Sequence, residues 1–360
     1  MKVSRKLLKN TGKIIAILVL IPVVFFLVYA VIRVNGKTKL YKKNETAAPV
    51  LQSTTSSIEV ELMERDDSYD WKEGDIKYKD SIYRYNDEIL TFLVMGIDKK
   101  GKVPTGETTD YMDGGQADAL FLVVMNPSTE EVNIVAINRN TVVDVDTYNH
   151  NGSFNATIPL QITLQHGYGD GRNLSCERQL AVVSNLFKDI PIHGYVAINM
   201  GAIPEINDAV GGVPVVVEEN SAYKSSLLKN NVGKEVILKG DDAYEYIHNR
   251  DTNEFDSAGK RLGRQKQYLL KFIDRAKQKT KEDISFPITM YNKIADYVVT
   301  DVSVSEIGYL ASESLGYKFN KDKIYSLEGE TVQPGEFEEF YPDEEALFDL
   351  IVEIFYKQVK

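Results

Sequence analysis

Residues 119–138 read ALFLVVMNPSTEEVNIVAIN. Two apolar, β-branched runs, Ala119–Met125 and Val132–Asn138, flank the polar connector Asn126–Glu131. Runs of that length and composition predict strands. A short polar connector holding Pro127 predicts a link between antiparallel neighbours. In a hairpin symmetric about that connector, Asp118 at the start of the first strand faces Arg139 at the end of the second. Just upstream, Ile89–Ile97 (ILTFLVMGI) predicts a third strand, ending at Asp98. If it runs parallel to Val132–Asn138, as buried strands often do, Asp98 emerges at the same edge. Two carboxylates and a guanidinium then share one sheet edge.

Working outward, Thr141–Tyr148 alternates like a strand, and Asn173–Phe187 places Leu180, Val183, Leu186 and Phe187 near helical spacing. Gly194–Met200 returns to strand. Ile203–Val210 predicts a short helix stopped by Gly211 and Gly212, with Val213–Val217 a strand after it. This alternation predicts an α/β fold, a layered α-β-α domain with a central mixed β-sheet. Further helices are expected over Asp242–Ile247, Lys260–Lys279 and Tyr341–Lys357. In the last, Pro342 suits the first turn, acids come after it, and Lys357 lies at the negative end. Leu347, Leu350, Ile351 and Ile354 give that helix an apolar face to dock.

Composition narrows the function classes. The formal net charge of −11 argues against nucleic acid as a partner. Cys176 is the only cysteine, which excludes an intrachain disulfide and a thiolate-rich metal site. His150, His166, His193 and His248 are scattered without HxxxH spacing, against a zinc enzyme.

Ile14–Ile32 (IIAILVLIPVVFFLVYAVI) is uncharged and apolar, long enough to span a bilayer, which takes roughly 17–25 residues. Pro22 is tolerable there. No small-x-small cleavage site comes after it, so a retained anchor is expected. The expected organisation is a cytoplasmic N-terminus at 1–13, one transmembrane helix at 14–34, a stalk at 35–87 with a helix at Ser56–Arg65, and a catalytic domain at 88–360. Basic residues flank the span on both sides and set no orientation. The large domain is placed outside because a short N-terminal anchor usually translocates the long soluble domain behind it.

A second cluster lies in Tyr246–Gln267, YIHNRDTNEFDSAGKRLGRQKQ. On a helix, Arg261, Arg264 and Gln265 share one face with Tyr268, whereas Leu262, Leu269 and Ile273 lie on another, expected to be the buried one. The arginine face is then free to meet a ligand. His248 and Arg250 point the same way if extended. Arginine forks match phosphate oxygens, so a pyrophosphate is the natural ligand. A solvated face paired with Glu254 and Asp256 has the same look, and a structural ion pair would also explain Asp98, Asp118 and Arg139. The residues alone leave both readings open.

The order of these motifs resembles the LytR-CpsA-Psr proteins of Gram-positive envelopes, from about Leu90 to Gln267. The matching pieces are Gly96-Ile97-Asp98, Gln116-Ala117-Asp118 and Ile137-Asn138-Arg139-Asn140-Thr141. Asp208–Val213 (DAVGGV), Lys239–Ala243, His248-Asn249-Arg250 and Arg261–Gln265 (RLGRQ) come next, in family order. Asp301–Lys357 is similar to the family's C-terminal part. The resemblance implies transfer of a glycopolymer from a polyprenyl-pyrophosphate carrier to a muramyl hydroxyl of peptidoglycan, leaving a phosphodiester. It implies Mg²⁺ (or Mn²⁺) held by Asp98 and Asp118, with Asp118 also helping to deprotonate the acceptor. Arg139, His248, Arg250, Arg261 and Arg264 would bind and neutralise the pyrophosphate, with a hydrogen bond from Gln265. An apolar groove would hold the lipid chain. A polyprenyl-pyrophosphate hydrolase and a non-catalytic envelope regulator that binds lipid intermediates are the alternatives.

Departures from the family pattern are also visible. Arginine usually stands at Gln116, aspartate at Asn140, and the first arginine of an R-x-R pair at His248. The site keeps its Asp–Asp–Arg core and loses part of its charge. His248 would compensate when protonated, which predicts activity falling as pH rises. An unchanged pH–rate profile in His248→Gln would sink that idea.

Overall fold

The computed structural model describes residues 33–42, 49, 69–72, 74–106, 108 and 110–360. Six strands form the central sheet: β3 (Leu90–Ile97), β4 (Ala117–Asn126), β5 (Glu131–Ile137), β8 (Gly194–Asn199), β11 (Val298–Thr300) and β12 (Ile324–Ser326). Their order is β11-β8-β3-β4-β5-β12. β4 pairs antiparallel with both β3 and β5, while β3–β8 and β5–β12 are parallel, so the sheet is mixed as expected. β3 and β5 therefore run the same way. Their C-terminal ends meet the start of β4, with Ile97 opposite Ala117 and Ile137 opposite Leu120.

Side chains alternate across this sheet and both faces are covered, which is why its strands read as nearly unbroken apolar runs. Leu93, Met95, Leu120, Leu122 and Val135 pack with the apolar sides of α2 (Asn173–Leu186) and α9 (Glu344–Phe355). Phe92, Phe121, Ile134 and Ala136 face α6 (Ser257–Glu282) and α8 (Val304–Ser314). The α-β-α layering results. Residues 33–42 are helical (α1) and bury Leu40 in this second layer, with Arg33 paired to Glu313 of α8.

Smaller units frame the sheet. β6 (Val142–Tyr148) and β7 (Phe154–Gln161) form one hairpin, and β13 (Gly329–Val332) and β14 (Glu339–Pro342) another. α3 (Ile203–Ala209), β9 (Val213–Val216), α4 (Ser226–Lys229), β10 (Glu235–Leu238) and α5 (Asp241–His248) make a side unit with its own core around Tyr223 and Tyr246. α7 (Phe286–Ile294) packs beside α8.

Three expectations need correction. The stalk does not extend to residue 87: β1 (Asp75–Tyr78) and β2 (Ser81–Tyr85) form a hairpin whose β2 pairs with β15 (Tyr356–Gln358). Ile76, Tyr78 and Ile82 are buried, so the domain begins by Asp75 despite the polar composition around these residues. Pro342 is not in the first turn of α9. It ends β14, and Asp343 caps the helix by accepting the Ala346 amide at 2.8 Å. Lys357 lies in β15, past the helix, and pairs with Glu88 at 2.9 Å. Residues 14–32 of the expected span and the helix expected at Ser56–Arg65 lie outside the described residues. Among the described residues no helix is long and apolar enough to cross a membrane.

Candidate functional site

Asp118 is the second residue of β4 and only 8% exposed. Arg139 lies just past β5, and its Nε is 3.1 Å from Asp118 Oδ1. The pairing expected from the hairpin is therefore present. Arg261 of α6 arrives from the opposite side, donating from Nη1 to Asp118 Oδ2 at 2.9 Å and from Nη2 toward the Asp118 carbonyl at 3.5 Å. Burial works against the carboxylate, but Arg261 and then Arg139 outweigh it and hold Asp118 below the usual carboxylate range. Burial also pushes Arg139 down to about 10, opposed by Asp118 and reinforced by Arg261 and Arg250. Both groups stay charged at neutral pH. Asp118 Oδ1 and Arg139 Nε are buried yet make no aligned hydrogen bond. An ion pair in that state has bonding capacity left for a ligand.

Asp98 lies just past β3 and is exposed. Its Oδ1 accepts the Gln116 amide at 2.7 Å, and its own amide donates to the Gln116 carbonyl at 3.0 Å. Gly115 permits this approach. Its φ is +79°, and a Cβ there would come within 2.9 Å of Asp98 Oδ1. The Gln116 side-chain oxygen then accepts a short hydrogen bond from Arg139 Nη2. Asp98, Gln116, Arg139, Asp118 and Arg261 thus form one connected chain of polar contacts. Gln116, where a further cation was expected to be missing, orients Arg139.

Among the described residues no group of three or more His, Cys, Asp or Glu gathers around a possible metal position. The set on offer is Asp98, exposed, and the buried Asp118 Oδ1, which has no hydrogen bond. Two carboxylates completed by phosphate oxygens and water suit Mg²⁺, which rarely uses an all-protein cage.

Arg264 and Gln265 require a correction. They share a helix face with Arg261, but that face is buried: Arg261 is 3% exposed, Arg264 2% and Gln265 6%. Arg264 donates from Nε to the Tyr246 carbonyl at 2.9 Å and from Nη2 to the Asn249 carbonyl at 2.6 Å. Gln265 donates to the Ile247 carbonyl at 3.1 Å. Both cap the C-terminal end of α5, whose last carbonyls need donors. They are positioning residues. Arg264→Ala is expected to leave buried carbonyls unsatisfied and lower stability by about 1–3 kcal/mol, read by denaturant unfolding.

The turn they position carries His248 and Arg250. His248 stacks on Tyr244 with ring centroids 4.7 Å apart, and Arg250 donates to Ser257 Oγ at 2.6 Å. Both line a hollow of about 350 Å³ with Asp118, Arg139, Lys224 and Arg261. The DAVGGV stretch holds the opposite, N-terminal end of α5. Gly211 and Gly212 take φ of +86° and +90°, and the Asp208 carboxylate accepts the Gly240 amide at the start of α5. Its role is structural.

A larger cleft of about 770 Å³ adjoins the hollow, and Arg139, Arg250 and Thr252 line both. Its far wall includes Glu336, Phe337 and Glu338 from the β13–β14 connection. Glu338 Oε2 accepts from Asn140 Nδ2 at 3.2 Å, so a carboxylate reaches this region from elsewhere in the chain. Sequence reading missed Glu338 and Lys224, and no local pattern marks either.

The chain as a whole is similar to known proteins. A profile described as the LytR_cpsA_psr family matches residues 46–349. The polyisoprenyl-teichoic acid–peptidoglycan teichoic acid transferase TagU of Bacillus licheniformis is 24% identical over 278 residues, covering 75% of this chain and 78% of its own length. TagU of Enterococcus faecalis is 26% identical over 255 residues, covering 70% and 74%. Among solved structures, B. subtilis TagV superposes with a TM-score of 0.56 at 23% identity, covering 74% of this chain and 96% of TagV. Protein gbs0355 of Streptococcus agalactiae gives 0.58 at 19%, covering 76% and 91%. At these identities the structural likeness concerns the fold.

Proposed function

Starting from the fact that this chain belongs to the LytR_cpsA_psr family, we propose that it is a membrane-anchored, extracytoplasmic phosphotransferase. It moves a glycopolymer from a polyprenyl-pyrophosphate carrier onto peptidoglycan. The observation that carries this reading is the buried Asp118 between Arg139 and Arg261, open to a cationic hollow in an otherwise acidic protein. The names of the TagU relatives supply the substrate class. The apolar run Ile14–Ile32 supports the anchor, and the Bacillus and Enterococcus relatives support an address in the envelope of a Gram-positive cell.

In this reading the acceptor hydroxyl oxygen bonds to the sugar-side phosphorus. The bridging P–O bond breaks, its electron pair leaves with polyprenyl phosphate, and the hydroxyl proton passes to water. Such transfers run through a loose transition state in which positioning and charge stabilisation dominate. Arg139, Arg250 and Arg261 neutralise charge growing on the bridging oxygen. Asp118 is a weak base because its two arginines depress it. Its main task is to hold those guanidiniums in place, and a loose transition state asks little of a base. Asp98 and Asp118 would hold Mg²⁺ (or Mn²⁺), which would add positive charge at the pyrophosphate. The half-buried Val94, Ala119, Val123 and Val196 of the sheet, facing Leu269 and Ile273 of α6, offer the lipid an apolar path.

The test is turnover of a short-chain polyprenyl-pyrophosphate sugar by the full chain, with and without a peptidoglycan acceptor. Metal-dependent transfer that stops with chelator is the expected result. Release of the sugar phosphate and polyprenyl phosphate, with water as the acceptor whether or not peptidoglycan is present, would make it a hydrolase. Binding without turnover would make it a regulator.

A further inference from the structure

We propose that the cleft between Phe255 and Phe337 binds the acceptor glycan, an uncharged or amino-bearing saccharide. The inference rests on the transferase reading and assigns its second substrate to a place. The cleft's volume of about 770 Å³ falls in the range of built ligand pockets, roughly 300–1,000 Å³. Its lining joins two features that sugars use together. Phe255 and Phe337, at 57% and 69% exposure, offer flat apolar rings at the rim. The C–H face of a pyranose stacks on such rings. Carboxylate and amide groups of Glu338, Asn140 and Gln161 accept and donate hydrogen bonds to hydroxyls below.

The wall carrying Phe337 is fastened in place. Gln161 Nε2 donates to the Glu338 carbonyl at 2.6 Å, Asn140 Nδ2 donates to its carboxylate, and the Phe340 amide donates to the Asn140 carbonyl at 2.9 Å. A prefastened wall favours tight binding because little ordering remains to be done.

Charge selects between the two substrates. Glu336 and Glu338 stand on the far wall of the cleft, across from Arg139 and Arg250 at its border, so a polyanionic polymer is disfavoured along that wall, whereas a neutral or amino sugar is not. Position agrees. Arg139 and Arg250 form the border between this cleft and the hollow at Asp118 and Arg261. A pyrophosphate lying across that border would meet the attacking hydroxyl from the cleft side. Its leaving oxygen would point into the cationic hollow, the arrangement an in-line displacement requires.

The experiment is calorimetric titration of the full chain in detergent with a peptidoglycan-derived tetrasaccharide lacking stem peptide, its lactyl carboxylates capped as amides so that it is uncharged. It is repeated for Phe337→Ala, Phe255→Ala and the double variant. Both rings are exposed, so the variants fold. Each single change is expected to weaken tetrasaccharide binding about tenfold, about 1.4 kcal/mol, with polyprenyl-pyrophosphate sugar affinity unchanged. No tetrasaccharide binding by the unaltered chain, equal binding by the double variant, or loss of donor affinity in its place would overturn the assignment. Absence of transfer with ring-dependent tetrasaccharide binding would instead sink the transferase reading and leave the cleft as a glycan site.

Discussion

Arg139→Ala is expected to slow cleavage of a polyprenyl-pyrophosphate sugar by about 10³-fold, equivalent to about 4 kcal/mol of transition-state stabilisation. Arg139 contacts Asp118 and Gln116 at once and borders both the hollow and the cleft. No other described side chain has that placement. Stability is expected to change little, because Asp118 keeps its hydrogen bond to Arg261 and one desolvated cation is removed. Arg139→Lys should rescue poorly, since a point charge cannot reproduce a fork that engages two partners. Single-turnover rates of the three proteins decide the matter. A loss below tenfold in the alanine variant would mean that charge on the leaving oxygen is neutralised elsewhere.

Asp118→Asn should act mainly on the fold. It would leave the Arg139 and Arg261 guanidiniums buried on either side of a neutral amide. Breaking a buried pair from one side costs about 3–5 kcal/mol. The pH dependence is set by the direction of the Asp118 shift. Its folded-state value lies below that of the unfolded chain. Its stabilising contribution is therefore complete above the unfolded carboxylate value, near 3.9, and drains away as pH falls through the lowered folded value. Urea unfolding from neutral to acidic pH should show that acid loss in the parent and a shallower one in Asp118→Asn. Parallel curves would mean that Asp118 is not charged in the fold.

The edge where Asp98, Asp118 and Arg139 converge was legible in the sequence because it depends on backbone register alone. Strand period, connector length and strand sense are local properties. The fate of Arg264 and Gln265 was not legible. Helical spacing puts them on the face of Arg261, but only the packing of α5 against α6 decides that two of the three side chains meet carbonyls and one meets a carboxylate. Glu338 lies 198 residues from its partner Asn140, so no window joins them. The β1–β2 hairpin was hidden for a similar reason. Its strands are short and polar, and their partner is the last strand of the chain.

The wall between β13 and β14 touches the rest of the domain through a few main-chain and amide contacts near Asn140 and Gln161. The charged centre, by contrast, is written into three adjoining strands and a long helix. Insertions or exchanges within residues 333–338 can therefore drift during evolution without disturbing the register that holds Asp118. A lineage could retool which partner it recognises by rewriting six residues, and an engineer could graft the same segment between homologues as a cassette.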